Sequence, residues 1–291
     1  MPSNIASLPG PVLEYIAAQG WGGVIDSAPV GGGCISNGQA LSTRHGPRLF
    51  LKTNTACPPE MLRREAEGLA ALAEAPGAPR VPRAVLAGPD FLLLEYLPSA
   101  PAAPNSAALF GEAMARLHSR TAPQFGFDHD NYLGLTPQPN PRLTDGWEFF
   151  AEHRLLHQGR LARRAGRLSA ANFGRLERLA ASLRHLIPEQ PASLIHGDLW
   201  SGNCYPGPDG HICLIDPAAH YGWAEADLAM TALFGRLPEA FFAAYQGVQP
   251  LEPGWQGRFD LYNLYHLLNH LNLFGLSYLS AVEATLARFA P

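Results

Sequence analysis

Three polar side chains, Asp198, Asn203 and Asp216, are of types and spacings that can do chemistry together. Asp198 and Asn203 stand in the run His196-Gly197-Asp198-Leu199-Trp200-Ser201-Gly202-Asn203, and their Asp-x-x-x-x-Asn spacing is that of a phosphoryl-transfer catalytic loop. Asp216 ends the run His211-Ile212-Cys213-Leu214-Ile215-Asp216. The turn Pro206-Gly207-Pro208-Asp209-Gly210 lies between two short apolar runs and reads as a β-hairpin. Such a hairpin brings Asn203 and Asp216 together although they are thirteen positions apart. A side-chain carbonyl and a carboxylate facing one cavity make a hard-oxygen site suited to Mg²⁺. Asp198 on the same loop can accept a proton from a hydroxyl, or orient that hydroxyl for attack. Taken singly, a His-Gly-Asp run is usually a turn and an Ile-Asp-Pro run usually a strand end. Their order, with a hairpin between, points to phosphoryl transfer.

Phosphoryl transfer also needs a cation on the phosphates. Lys52 ends the strand Leu49-Phe50-Leu51-Lys52. A lysine there is commonly a surface residue; its functional reading is the strand lysine that holds the α- and β-phosphates of ATP. A helix over Glu60–Glu74 carries an apolar stripe of Leu62, Ala66, Leu69 and Leu72. Glu65 beside that stripe can pair with Lys52, with Glu67 as the alternative if the register differs. Upstream, Val30-Gly31-Gly32-Gly33-Cys34-Ile35-Ser36-Asn37-Gly38 reads as a strand, a tight loop and a second strand. Its glycines let backbone N–H groups approach phosphates, although a glycine run alone is more often a plain turn. Ala40–Thr43 and Arg48–Lys52 read as antiparallel strands turned at His45-Gly46-Pro47, followed by strands at Val81–Leu86 and Phe91–Leu94. The last runs into Glu95-Tyr96-Leu97, an extended segment whose backbone can pair with an adenine edge. Ser99–Pro104 is rich in proline and alanine and marks a boundary between residues 1–97 and 98–291.

The remaining elements are mainly helical. Asn105–Ser119 is a helix capped by Asn105 or Ser106, with His118 expected to be structural at its C-terminus. Phe125–Arg142, rich in Gly, Pro, Asn and Asp, reads as mostly loop, and loops of this length are often functional. Further helices are expected at Trp147–His157, Ser169–Leu186, Pro238–Gln246 and Gln256–Leu276. Asp227 either caps the helix that follows it or bonds the backbone of the catalytic loop. Tyr262, His266, Asn269 and His270 lie on one side of the last helix, as a buried polar network or as a substrate wall.

Composition bounds the partners. The chain of 291 residues is 47% hydrophobic and 16% charged, enough for a sizeable core in two lobes or one large domain. A net charge of −4 without a long basic run argues against nucleic acid as a partner. No uncharged apolar run approaches the about twenty residues that span a bilayer, so no membrane partner is expected. Met1–Gly20 carries Glu14 and no basic n-region, a poor signal peptide. Cys34, Cys57, Cys204 and Cys213 show no C-x-x-C pairing, which fits a reduced cytoplasmic protein. Cys34, in the glycine loop, is expected to be more exposed than Cys204 or Cys213. It is either inert or able to form a mixed or intermolecular disulfide, so the chain is expected as a monomer or a redox-linked dimer.

With these residues in view, the chain resembles the fructosamine kinase (ketoamine kinase) family over nearly its whole length. The resemblance rests on Gly31-Gly-Gly-Cys34-Ile-Ser36, on His196-Gly-Asp-Leu-Trp-Ser-Gly-Asn203, and on Asp216-Pro-Ala followed by Tyr221-Gly222 and Glu225-Ala-Asp227-Leu-Ala. Asn269-His270 and Phe274-Gly275 match that family's last helix. His-Gly-Asp…Asn is shared by aminoglycoside and choline kinases, whereas the form with Trp200-Ser201-Gly202 is narrower. The resemblance implies an α+β, bilobal protein-kinase-like fold, with a small antiparallel-sheet N-lobe and a mainly helical C-lobe. It implies ATP and Mg²⁺ as cofactors, Asp198 as catalytic base and the backbone of Glu95–Leu97 as the adenine contact. The implied acceptor is a sugar-derived ketoamine on an amine, an amino acid or a protein lysine. Phosphorylation of its sugar hydroxyl leads to deglycation; Trp200, Trp223, Asn269 and His270 are the acceptor-contact candidates. Asn37 stands where an acidic residue often follows the loop serine in that family. The rival readings are a phosphotransferase for an aminoglycoside or another amino sugar, and a non-catalytic pseudokinase. The joint presence of Lys52, Asp198, Asn203 and Asp216 argues against the latter. A protein kinase is disfavoured because Asp216 is followed by Pro-Ala rather than Phe-Gly.

Overall fold

Strand alternation builds the first layer. The computed structural model describes residues 5–31 and 37–290, so Gly32, Gly33, Cys34, Ile35 and Ser36 of the glycine-rich loop lie outside the described residues. After helix α1 (Gly10–Ala18) come strands β1 (Val24–Val30), β2 (Asn37–Thr43) and β3 (Leu49–Thr53), helix α2 (Met61–Ala73), and strands β4 (Ala84–Ala87) and β5 (Phe91–Glu95). The five strands form one antiparallel sheet in the order β1-β2-β3-β5-β4. Successive side chains of a strand face opposite sides. Leu49 and Leu51 of β3, with Phe91 and Leu93 of β5, therefore share a core with Val12 and Ile16 of α1. Leu92 and Leu94 face the other way and join Leu62, Leu69 and Leu72 of α2. The same alternation sends Lys52 to the α2 side.

The chain then passes to a mainly helical lobe, so the whole is bilobal and α+β. Its helices are α3 (Ser106–His118), α4 (Gly146–Phe150), α5 (His157–Arg164), α6 (Ala170–Leu186), α7 (Ala224–Met230), α8 (Glu239–Val248), α9 (Phe259–Phe274) and α10 (Leu279–Phe289). Its strands are short: β6 (Thr121–Ala122), β7 (Asn131–Leu133), β8 (Thr136–Gln138), β9 (Ala192–Ile195), β10 (Cys204–Pro206), β11 (Ile212–Leu214) and β12 (His220–Gly222). The strands β12-β9-β6 make a small sheet, and β7–β8 and β10–β11 are hairpins. Among the described residues no helix is long and apolar enough to cross a membrane.

Several elements differ from expectation. The stretch Phe125–Arg142 holds the β7–β8 hairpin, turned at Gly134, whose φ of 62° suits glycine. The helix expected at Trp147–His157 runs on to Arg164 through a π-helical segment, Ala151–Leu156. Helix α10 follows the break at Gly275 and was not anticipated. Neither Asn105 nor Ser106 caps α3 through its side chain, whereas Ser169 caps α6 by accepting from the Asn172 N–H at 3.1 Å.

Three hydrogen bonds hold the chain crossing to the β10–β11 hairpin. The Tyr205 hydroxyl donates to the Leu97 carbonyl at 3.0 Å. The Ala100 and Ala103 N–H groups donate to the carbonyls of Pro206 and Gly210 at 3.2 and 3.0 Å. The β10–β11 hairpin thus grips the segment that joins the lobes.

Candidate active site

Lys52, Glu65 and Asp216 meet across the cleft. The Lys52 ammonium donates to both Glu65 oxygens at 2.9 and 2.8 Å and to Asp216 Oδ1 at 3.0 Å. Glu65 follows Met61 by one turn on the buried face of α2, which is why it and not Glu67 reaches Lys52; Glu67 pairs with Arg64 at 2.8 Å. Burial alone lowers a lysine pKa. Here the charges of Glu65 and then Asp216 outweigh burial, raise the pKa and keep the ammonium protonated.

Asp198 faces this cluster from the catalytic loop. Asn203 donates from Nδ2 to the Asp198 carbonyl at 2.9 Å and to its carboxylate at 3.0 Å, which leaves its side-chain oxygen as the group it can offer a ligand. Burial, then the like charge of Asp216, pushes the Asp198 carboxyl up to about 7, with the Asn203 hydrogen bond opposing. Cys204 and Leu214 are paired in the β10–β11 hairpin, and the Ile215 N–H donates to the Asn203 carbonyl at 3.1 Å. The residue just before β10 and the residue two beyond β11 are thereby neighbours, as the turn between them implies.

The loop is braced from behind. His196 accepts the Asp198 N–H on Nδ1 at 3.2 Å while its Nε2 meets the Ile215 carbonyl at 2.9 Å. One neutral imidazole therefore ties the loop to the strand leading into Asp216, and burial keeps its pKa below the ordinary value. Gly197 has φ 81°, and a Cβ there would meet the Ala218 carbonyl oxygen at 2.3 Å. Asp227 accepts the N–H groups of His196 and Gly197 at 2.6 and 2.8 Å and also meets His118 Nε2 at 3.2 Å. His118 in turn meets the Tyr245 hydroxyl at 2.8 Å, so it is structural as expected. Burial would raise the Asp227 pKa; the hydrogen bond and charge of His118 override it, and the carboxylate stays ionised. Asp227→Ala strands two buried N–H groups and is expected to cost about 3 kcal/mol in a urea unfolding titration. A loss under about 1 kcal/mol would show that water replaces the brace.

The cleft, of about 820 Å³, is lined by Gly31, Lys52, Glu65, the Glu95–Leu97 segment, Asp198, Trp200, Asn203, Asp216, Asn269 and His270. The Glu95 side chain pairs with Arg80 at 2.6 Å, so any base contact in this segment falls to the backbone. Trp223 is a correction: it is 3% exposed and lies outside the cleft, with its ring against Phe125, Phe150 and Tyr262. Burying its large apolar surface in the aromatic core stabilises the lobe more than a cleft position would. The polar side of α9 is divided. Tyr262 bonds Glu225 and Gln190 inside the lobe, and His266 is buried. Asn269 donates to the Leu133 carbonyl at 3.4 Å, and the His270 ring packs on Phe234, Phe274 and Tyr278 at 5.0–5.3 Å. Sequence reasoning missed this aromatic wall and the β7–β8 residues beside it. Phe234 and Phe274 are 40% and 54% exposed, and nothing local in the sequence marks them as cleft-facing.

The family model described as fructosamine kinase matches residues 19–290. The chain belongs to the fructosamine kinase family. A probable ketoamine kinase of Synechocystis sp. is 44% identical over 237 residues, covering 79% of this chain and 78% of that protein. A chloroplastic protein-ribulosamine 3-kinase of Arabidopsis thaliana is 37% identical over 262 residues, covering 86% of this chain and 78% of that one. The crystal structure of a candidate fructosamine-3-kinase from Thermobifida fusca superposes with a TM-score of 0.87 at 34% identity over 97% of both chains. An aminoglycoside phosphotransferase, at 15% identity and a TM-score of 0.62 over 96% of this chain and 98% of that one, shares the fold. Fructosamine kinase family members are phosphotransferases, and this chain is an enzyme of that class.

Cysteine placement carries its own prediction. Burial pushes the thiols of Cys204 and Cys213 up to about 12 and about 11. In native protein at pH 8 both are expected to resist iodoacetamide and to react only after unfolding, as read by peptide mass mapping. Labelling of either at the rate of an unfolded thiol would contradict this placement. The redox reading of Cys34 lies outside the described residues.

Proposed function

We propose that the chain is an ATP-dependent ketoamine kinase that phosphorylates a sugar hydroxyl of fructosamine- or ribulosamine-type acceptors and so initiates deglycation. The observation that carries this reading is the Lys52–Glu65–Asp216 cluster, set opposite Asp198 and Asn203 in one cleft. Residues 1–97 serve as the nucleotide-clamping unit and 98–291 supply the catalytic loop and acceptor wall. Lys52, held by Glu65, neutralises phosphate oxygens. Backbone groups of Glu95–Leu97 take the adenine edge, and the glycine-rich run Gly31–Ser36 covers the phosphates.

Asn203 and Asp216 fit a Mg²⁺ ion. Both offer oxygen, and the Asp216 side chain is 37% exposed. The mutual repulsion of Asp198 and Asp216 is what a cation relieves. When bound there, the ion supplies charge neutralisation on the phosphates. Asp198 orients the acceptor hydroxyl and takes its proton as the new P–O bond forms; the bond from the γ-phosphorus to the bridging oxygen breaks and ADP leaves. Catalysis is then mainly positioning and electrostatic stabilisation.

Mass spectrometry of a synthetic fructosyl-amine incubated with protein, ATP and Mg²⁺ tests the reading. The expected product carries one added phosphoryl group. Phosphorylation of an aminoglycoside in a parallel reaction, with the ketoamine untouched, would replace the proposal by its nearest rival.

A further inference from the structure

The Asp216 backbone stands in the left-handed region, with φ 56°, the one non-glycine residue among those described to do so. An L-residue holds that conformation at a cost of about 1–3 kcal/mol unless the surroundings determine it. Bonds on both sides hold it: Ile215 is tied to His196 and Asn203, the Ala218 N–H donates to the His196 carbonyl at 2.9 Å, and His220 Nδ1 meets the Ala218 oxygen at 2.9 Å. The Ala218 and Ala219 carbonyls are gripped by two buried amide side chains from another part of the lobe. Gln138 Nε2 donates to the Ala218 oxygen at 3.1 Å, and Asn131 Nδ2 donates to the Ala219 oxygen at 2.8 Å.

These two amides face each other directly, because Asn131 of β7 is the register partner of Gln138 of β8. Gln138 Nε2 also donates to Asn131 Oδ1 at 2.7 Å, so both its hydrogens are spent and its orientation is fixed. The Tyr265 hydroxyl, from α9, donates to Gln138 Oε1 at 2.6 Å. Asn140 donates to Asn131 Oδ1 at 2.9 Å and is held in turn by Arg154 at 2.6 Å. Gln138, Asn131, Asn140 and Arg154 are 5% exposed or less. Amides at this depth are costly unless satisfied. Here they are satisfied, and two of their partners are the carbonyls that follow Asp216.

We infer that Gln138 and Asn131 are positioning residues for the metal-binding carboxylate: the β7–β8 hairpin clamps the 216–219 segment and so sets the direction of Asp216. This rests on the reading of Asp216 and Asn203 as the metal site. The hairpin's Tyr132, Leu133 and Gly134 also line the cleft, so one element both walls the acceptor end and aims Asp216.

The test is binding, not turnover. Free Mn²⁺ is titrated by electron paramagnetic resonance with full-length protein and AMP-PNP, binding being counted as the excess over a nucleotide-only control, and metal-free ADP affinity is measured by calorimetry. Gln138→Met keeps the size of the side chain and removes its donors. It is expected to weaken Mn²⁺ binding by about tenfold, as loss of a group supporting a metal ligand does, with ADP affinity unchanged. Tyr265→Phe removes only the hydroxyl that orients Gln138, at the modest stability cost of one unmade buried hydrogen bond that a thermal melt reads, and is expected to weaken Mn²⁺ binding by less than Gln138→Met does. Asn172→Ala, which loses a hydrogen bond to Glu283 elsewhere in the lobe, should lower the melting temperature and leave Mn²⁺ affinity as in wild type. Wild-type Mn²⁺ affinity in folded Tyr265→Phe and Gln138→Met proteins overturns the inference and leaves the proposed function standing. No Mn²⁺ binding by wild type with AMP-PNP removes the metal site on which both depend.

Discussion

Asp198→Asn is expected to lower kcat by about 10³-fold while ATP affinity stays within about twofold. The substitution keeps the side chain's size and its hydrogen bond with Asn203 but removes the oxygen that takes a proton. No phosphate or adenine contact of the proposed site runs through Asp198, so binding has no reason to fail. It also removes a carboxylate that burial and Asp216 disfavour, so the variant should melt no lower than wild type. Steady-state kinetics, nucleotide calorimetry and a thermal melt read the three effects. Undiminished turnover would take Asp198 out of the mechanism.

Lys52→Met is expected to fail in two ways that a second substitution separates. Activity should fall by at least about 10²-fold, because the cation on the phosphates is gone. Stability should fall by about 3 kcal/mol, because burial already pushes the Glu65 carboxyl up to about 7 beside Lys52, and without that cation it is left buried, driven toward its neutral form and short of its hydrogen bonds. Combining Lys52→Met with Glu65→Leu replaces the ion pair by apolar groups, and most of the lost stability should return while activity does not. Urea titrations of the single and double variants decide this. If the double variant recovers activity, the lysine is a structural partner and not a phosphate clamp.

The centre of the site was legible because its signals are local. Asp198 and Asn203 share one loop, and the turn at Pro206–Gly210 is enough to return Asp216 to them. Lys52 was legible as a strand-end lysine and Glu65 as its partner with Glu67 the alternative; the packing of α2 on the sheet decides between the two. The surrounding parts resisted reading for physical reasons. The β7–β8 hairpin has strands of three residues, and it buries Asn131 and Gln138, which inverts the usual rule that polar residues face water. Trp223 follows Tyr221-Gly222 in a stretch that reads equally well as cleft or core; only the aromatic neighbours assembled from α4, α9 and Phe125 of the segment after β6 decide it. Asp227 left two options, and the backbone of His196 and Gly197 shows which one holds. The boundaries of α9 and α10 turn on Gly275, whose φ of 92° ends one helix without ending the helical run.

The grip of the β10–β11 hairpin on the crossing segment makes that hairpin a pair of calipers. Asn203 and Asp216 sit at its open end, while Tyr205 and Pro206 hold Leu97 and Ala100. The spacing between Leu97 and the two oxygen donors is therefore set within the hairpin and the segment it holds. In the proposed site, a nucleotide lying along this edge would be measured from base to phosphate against a gauge of constant length.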